Sequence, residues 1–352
     1  MSAATTARAY LELARISNAP TVVSNALAGT ALAAFAHGGA PDTMPRAAAC
    51  SAIALVCFYS AGMAMNDLLD RAIDARERPA RPIPSGRVSP AGAMAFVASL
   101  IGAGLALLLP NGVAAAGAGL ALVALIGLYN ALHTHSRWSV LIMGGCRAMA
   151  IVTAGLAFGV PPTLIPIVGP AALLAIFVAG FSLVARREAA FSTEAPDWVC
   201  GGCAYPVSRA AGRCPECGRG LDPDRAGDIV RPSDAPVRRR FRVAPFIGIV
   251  PLLGLVFVPV PALVRTPSDT ESIALDLGLL VVAAFMLAWS AAAARLIERT
   301  PPRIGPAILM WIAAICLIDA YLALLARSIP LALGCIACFL ACRALQRRIA
   351  GT

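Results

Sequence analysis

Asn66, Asp67, Asp70 and Asp74 close an otherwise apolar run and are followed at once by Arg76, Arg78, Arg81 and Arg87. If the run continues as a helix, Asn66, Asp70 and Asp74 fall at i, i+4 and i+8. Asp67 then leans the same way, and one face carries three carboxylates and an amide. Carboxylates stacked in this way repel, and an ionisable side chain at membrane depth costs about 2.5–3.5 kcal/mol on insertion scales, so a compensating cation is the simplest expectation. Mg²⁺ suits the donor set best. It takes oxygen ligands, uses only one or two carboxylates per ion and completes its shell with phosphate oxygens and water. The arginines just downstream offer forked donors to those same phosphates. The plainer alternative is a helix end marked by Asp, Asn and Arg because it meets the membrane surface.

A second constellation is Cys200-x-x-Cys203 followed by Cys214-x-x-Cys217, inside a Cys-, Gly-, Pro- and Arg-rich stretch with little apolar periodicity. Two such knuckles at this separation signal a tetrahedral Zn²⁺ site of the zinc-ribbon kind. Disulfides are the alternative in an oxidising compartment, and iron also accepts four thiolates. So short a segment has almost no core, and metal binding would supply much of its folding free energy. Cys335, Cys338 and Cys342, at i, i+3 and i+7, read as packing residues of an apolar helix.

These groups need a scaffold, and the composition says which solvent it lives in. Of 352 residues, 59% are hydrophobic and 14% charged, with a mean hydropathy of +0.77. That is the composition of an all-α polytopic membrane protein. Ten apolar segments are long enough, or nearly so, to span the bilayer: Tyr10 to Ala36, Ala47 to Met65, Ala91 to Leu109, Gly112 to Leu132, Ser139 to Phe158, Ile165 to Ala185, Val243 to Val264, Ile273 to Leu296, Ile304 to Ala326, and a weaker one from Pro330 to Ala344. Residues 1–188 thus hold six helices, 189–242 an insertion carrying the cysteine knuckles, and 243–352 three to four more helices. Met1 to Arg8 lacks the pattern of a cleaved signal peptide, so targeting is expected from the first helix.

The net charge is +10 and all 29 Lys+Arg positions are arginine. The basic residues are scattered over loops, which argues for membrane orientation and against nucleic acid as a partner. They concentrate at the N-terminus and after spans two, four, six and eight, which would place these loops and the cysteine insertion in the cytoplasm, of a bacterial cytoplasmic membrane by expectation. Ten crossings also put Arg343, Arg347 and Arg348 on that side. Within the spans, Asn18, Tyr129, Asn130 and Arg147 are polar enough to face a cavity rather than lipid. His133 and His135, at i, i+2, would not share a helical face, which argues against a metal role. Asp276 sits near its span's start, whereas Asp319 lies deeper and has no partner that the spacing identifies.

The full string Asn66-Asp67-x-x-Asp70-x-x-x-Asp74, then Arg78-Pro79-x-Arg81-Pro82, closely resembles the first aspartate motif of the UbiA superfamily of intramembrane prenyltransferases. Tyr129-Asn130 and Gly144-x-x-Arg147 are similar to further positions of that family that line the same cavity. The resemblance implies a helical bundle of nine to ten transmembrane helices. It also implies that Asn66, Asp67, Asp70 and Asp74 hold Mg²⁺ and an isoprenoid diphosphate, with an aromatic or other small acceptor as the second substrate. On this reading Asp67, Asp70 and Asp74 are catalytic, and Asn18, Asn66, Arg78, Arg81, Tyr129, Asn130, Arg147, Arg186 and Glu188 bind substrate. The family's second Asp-x-x-x-Asp motif is absent from Gly180 to Glu188, where Glu188 is the one nearby carboxylate. In this, and in Asp319-Ala320, the chain is similar to a subgroup of the family found in Ebo biosynthetic operons. The missing motif admits an accessory protein without ordinary prenyl transfer, or a transporter, as alternatives.

Overall fold

The computed structural model describes residues 3–39, 44–133, 136, 138–161, 163–185, 198–201, 207, 209, 212–214, 219–231, 270–297 and 303–348. Among them the long helices are α1 (Ala3–Leu13), α2 (Pro20–Ala36), α3 (Met44–Leu69), α5 (Pro90–Leu108), α6 (Val113–Leu132), α7 (Ser139–Leu156), α8 (Ile165–Ala185), α9 (Thr270–Ile297), α10 (Ile304–Leu325) and α11 (Ile329–Arg348), with a short α4 (Arg71–Glu77) after α3. Nine helices among the described residues are long and apolar enough to cross a membrane. They coincide with nine of the ten expected segments, and the weak last one proves to be a helix of 20 residues. The seventh expected segment, Val243 to Val264, lies outside the described residues. The protein is an integral membrane protein, in which intrahelical bonding satisfies the backbone where water cannot.

The helices pack around α10, whose residues from Ala313 to Leu324 are all buried. Its Trp311, Ile315 and Ile318 join one core with Leu32 of α2, Ile151 of α7, Phe177 of α8 and Met286 of α9. A helix apolar on every side belongs in such a centre. By contrast α5 and α6 bury few residues and present Met94, Leu120 and Leu128 outward, as lipid-facing helices do. Close approach depends on small residues. A Cβ at Gly144 of α7 would overlap the carbonyl oxygen of Ala175 in α8, whereas one at Gly145 would meet nothing. Gly144→Ala is therefore expected to destabilise the bundle by about 1–3 kcal/mol through overpacking. It should lower the thermal unfolding midpoint in detergent while Gly145→Ala does not; equal midpoints would refute the close contact.

Two elements differ from expectation in ways that shape the site. The first span, expected to run from Tyr10 to Ala36, is broken: α1 ends at Leu13, Ile16–Asn18 form a 3-10 turn, and α2 starts at Pro20. Proline cannot donate to the preceding turn but suits a helix's first position. Arg15 enters the break with φ 45°, a left-handed backbone uncommon for a side-chain-bearing residue. The acidic run, expected to continue α3 as one helix, is broken as well. α3 stops at Leu69, and Asp70 (φ −83°, ψ 4°) precedes α4. The four polar side chains consequently do not share one uninterrupted face.

In the insertion, β1 (Val199–Cys200) pairs antiparallel with β2 (Ile229–Val230). Cys200 and Cys214 are both buried in one small cluster with Leu221. Cys203 and Cys217 lie outside the described residues.

Candidate functional site

The two helix breaks bring the ends of α1 and α3 together. Arg15 donates from Nη2 to Asp67 Oδ1 at 2.9 Å, and Arg81 donates from Nη1 to the same oxygen at 3.2 Å and to Asp74 Oδ2 at 2.5 Å. Asp67 and Asp74 are each 4% exposed. Arg81 is thus the common partner of two buried acids, held by the turn that Pro82 and Pro84 follow, where Ser85 Oγ also donates to the Arg81 carbonyl. Asp70 faces elsewhere. Its Oδ2 contacts His133 Nε2 at 3.0 Å and accepts from Asn66 Nδ2 at 3.2 Å. His133 rests its ring against Tyr129 and sets Nδ1 2.9 Å from the Asn130 carbonyl oxygen.

The charge compensation expected from a cation is therefore supplied in this structure by Arg15 and Arg81, while His133 contacts Asp70 at hydrogen-bond distance. Among the described residues no group of three or more His, Cys, Asp or Glu side chains converges as a metal requires. The donor chemistry nonetheless fits Mg²⁺. The contacts above engage one oxygen of each carboxylate, Oδ1 of Asp67 and Oδ2 of Asp70 and Asp74, and leave a second hard oxygen on each.

Beside Asp67 opens a cavity of about 580 Å³. Its lining sets Arg8, Arg15, Arg78, Arg81, Arg87 and Arg348 against Glu12 and Asp67. Glu12 is shared by Arg8 at 3.3 Å and Arg87 at 2.6 Å. Asn18 also lines this cavity and accepts at Oδ1 from Gln346 Nε2 of α11 at 3.1 Å. A second, mainly apolar pocket of about 80 Å³ lies between α2, α3, α6 and α7, lined by Leu55, Leu122, Ile126 and Met143 with Tyr59, Tyr129, Asn130 and Arg147. Tyr59 of this pocket also bonds to Arg15 in the wall of the first cavity. The Arg147 guanidinium carbon lies 5.8 Å from its ring centroid, and its hydroxyl donates to the Arg15 carbonyl at 3.3 Å.

The structure thus gathers Asn18, Asp67, Arg78 and Arg81 around one cavity and Tyr129, Asn130 and Arg147 around the other. Asn130 donates to the Gly62 carbonyl at 3.3 Å and the Ile126 carbonyl at 3.0 Å, so its amide also braces α6 against α3. Asp74 reaches the first cavity through Arg81, whereas Asn66 and Asp70 bond to each other and to His133 and line neither of these two spaces. Arg186 and Glu188, with Arg187, lie outside the described residues, as do His135 and Arg137. Sequence reasoning missed Arg15, Glu12, His133 and Arg348 as site residues. Arg15 carried a usable signal, an arginine five positions before Pro20 in an apolar span, whereas His133 gained its importance from a partner 63 residues away.

Comparison with known proteins agrees with this geometry. A model of the UbiA prenyltransferase family matches residues 22–190. The digeranylgeranylglyceryl phosphate synthase of Natronomonas pharaonis is 39% identical over 150 residues, covering 39% of this chain and 52% of that protein. The enzyme of the same name from Methanopyrus kandleri is 40% identical over 98 residues, covering 28% of this chain and 34% of that protein. The chain therefore spans about half, or less, of the length of these curated relatives. Among solved structures, an apo UbiA homolog from Aeropyrum pernix K1 superposes with a TM-score of 0.59 at 16% identity, covering 86% of this chain and 96% of that one. A UbiA homolog from Archaeoglobus fulgidus bound to GPP and Mg²⁺ gives 0.53 at 14% identity, covering 89% and 99%. These likenesses establish the fold.

Proposed function

Since residues 22–190 form a UbiA prenyltransferase family domain, we propose that the chain is a Mg²⁺-dependent intramembrane prenyltransferase. It moves an isoprenoid from its diphosphate to a small acceptor. The observation that carries this reading is the arginine-rich cavity, whose cationic excess suits a diphosphate. The Tyr59–Arg15 hydrogen bond ties its wall to that of an apolar pocket suited to hydrocarbon.

Asn66, Asp67, Asp70 and Asp74 would hold the ion, which when bound supplies Lewis-acid stabilisation of the departing diphosphate. Arg78, Arg81 and Arg147 clamp phosphate oxygens with donors already in place. Asn18, held by Gln346, and Tyr129 and Asn130 shape the walls. Leu55, Leu122, Ile126 and Met143 keep water from the allylic carbon. The bond between that carbon and the diphosphate oxygen breaks with its electron pair leaving on oxygen. The acceptor's nucleophilic atom then supplies the pair for the new bond and releases its proton. The acceptor is an aromatic or other small molecule. Because the matched relatives are named for a glyceryl phosphate product, a phosphate-bearing acceptor is tried first. The absent second aspartate motif supports one second reading, binding without transfer. Arg186 and Glu188 are kept as proposed substrate contacts at that degenerate position. Incubation of purified protein with Mg²⁺, a panel of isoprenoid diphosphates and candidate acceptors separates the readings: product means transferase, binding without product means an accessory role, and no binding refutes both.

The three-part division at residues 188 and 242 is retained, with the active-site loops and insertion in the cytoplasm. Arg348 lines the same cavity as Arg15 and Arg81. Both chain ends then meet one membrane face, which supports ten crossings over nine. Of the four thiolates proposed to bind Zn²⁺, Cys200 and Cys214 share a buried cluster although 14 positions apart in sequence, which supports a ribbon closed by Cys203 and Cys217. Elemental analysis of reduced, purified protein is expected to find about one Zn²⁺ per chain, lost in Cys200→Ser/Cys214→Ser because two thiolates cannot hold a structural site. A metal-free wild-type protein would overturn this.

A further inference from the structure

Asp319 is a fully buried acid of the central helix α10 to which the proposed reaction gives no part. Its Oδ2 accepts from Ser24 Oγ at 2.5 Å and from Asn25 Nδ2 at 2.8 Å, both on α2, while its Oδ1 has no hydrogen-bond partner. The other end of the Asn25 amide, Oδ1, accepts from Arg147 Nη1 of α7 at 3.1 Å. Asp319 and Arg147 are thus joined across one amide, and three helices meet there.

The chemistry of the two ends leaves that amide one orientation. A carboxylate only accepts, so it demands the NH₂ group; a guanidinium only donates, so it demands the carbonyl oxygen. Without the carboxylate nothing at the far end opposes a flip, and a flipped amide would turn its NH₂ against the guanidinium. The donors from Ser24 and Asn25 also help the acid to be tolerated at membrane depth, where a polar group without partners is costly. We propose that Asp319 is a positioning residue for Arg147. By fixing the Asn25 amide it holds the guanidinium beside Tyr59 in the wall of the apolar pocket, where the Tyr59 hydroxyl reaches the cavity-lining Arg15, and there it takes the diphosphate end of the prenyl donor. The proposal rests on the transferase reading for the identity of that anion.

The test is equilibrium binding of geranyl diphosphate with Mg²⁺ to the full chain in detergent, for wild type, Asp319→Leu, Asp319→Asn, Arg147→Gln and Asp319→Leu/Arg147→Gln. Hydrogen bonds to charged groups contribute about 1.5–3 kcal/mol, so Arg147→Gln is expected to weaken binding about 10- to 100-fold. Asp319→Leu should cost nearly as much, and the double variant no more than Arg147→Gln alone. Asp319→Asn retains a carbonyl oxygen for Ser24 and Asn25 and should bind within about threefold of wild type. A purely structural acid would weaken binding equally in both backgrounds. If Asp319→Leu does not reach the membrane, Asn25→Leu breaks the same link and replaces it in the cycle. Full additivity, or wild-type binding by the variant that breaks the link, overturns the positioning role alone. Absence of binding by wild type to any isoprenoid diphosphate overturns the transferase reading and this inference together.

Discussion

Purified protein carrying Asp70→Ala is expected to lose Mg²⁺-dependent binding of geranyl diphosphate, and product formation is expected to fall by about 100- to 1,000-fold, the scale seen when one preorganised stabiliser of developing charge is removed. Asp70 stands where α3 breaks, and its carboxylate is held by His133 at 3.0 Å and Asn66 at 3.2 Å. Its side chain is 19% exposed. Alanine therefore removes a hard oxygen donor at the proposed ion without opening a core cavity, and the variant should insert and melt as wild type does. His133→Ala leaves the carboxylate and removes only its orienting partner, so a smaller loss of about 10- to 100-fold is expected. Binding by the Asp70 variant that remains Mg²⁺-dependent at wild-type affinity would rule out this residue as a ligand.

Arg81→Met is expected to weaken geranyl diphosphate binding by about 100-fold or more, since it removes a charge-assisted donor fork from the cavity wall. It also strips the shared partner from Asp67 and Asp74, which lie 3.2 and 2.5 Å from Nη1. Breaking such a buried pair costs about 3–5 kcal/mol, less where water from the cavity reaches the acids. The two effects have different signatures. With Arg81 gone its charge no longer competes for those carboxylates, so half-maximal Mg²⁺ effect should shift to lower Mg²⁺ while maximal diphosphate binding falls. Arg81→Lys restores charge but not the planar fork, and should recover only part of the affinity. Diphosphate affinity within threefold of wild type in Arg81→Met would sink the assignment.

Much of the scaffold was legible because the bilayer imposes a local rule. About 20 apolar residues in succession must be helical to satisfy their backbone, whatever surrounds them, and nine expected segments coincide with helices. The acidic motif was legible for a similar reason, since carboxylates and arginines at a span's end are conspicuous in a chain that is 14% charged. Spacing could not show that α3 stops at Leu69, which sends Asp70 toward His133 and Asp74 toward Arg81. Nor could hydropathy show that Arg15 leaves its span in a left-handed turn to reach Asp67, because an arginine next to an apolar run averages away in any window.

What the sequence determined by itself is which segments cross the membrane and which residue types wait at their ends, properties set by each segment against its solvent. Which groups become partners was decided only by the packing of one helix on another. His133 meets Asp70 across 63 residues, and Asp319 finds Asn25 across 294. Such pairs form where small residues let backbones approach, as Gly144 does against Ala175. A hydrogen bond depends on the last ångström of that approach, and no local periodicity carries it.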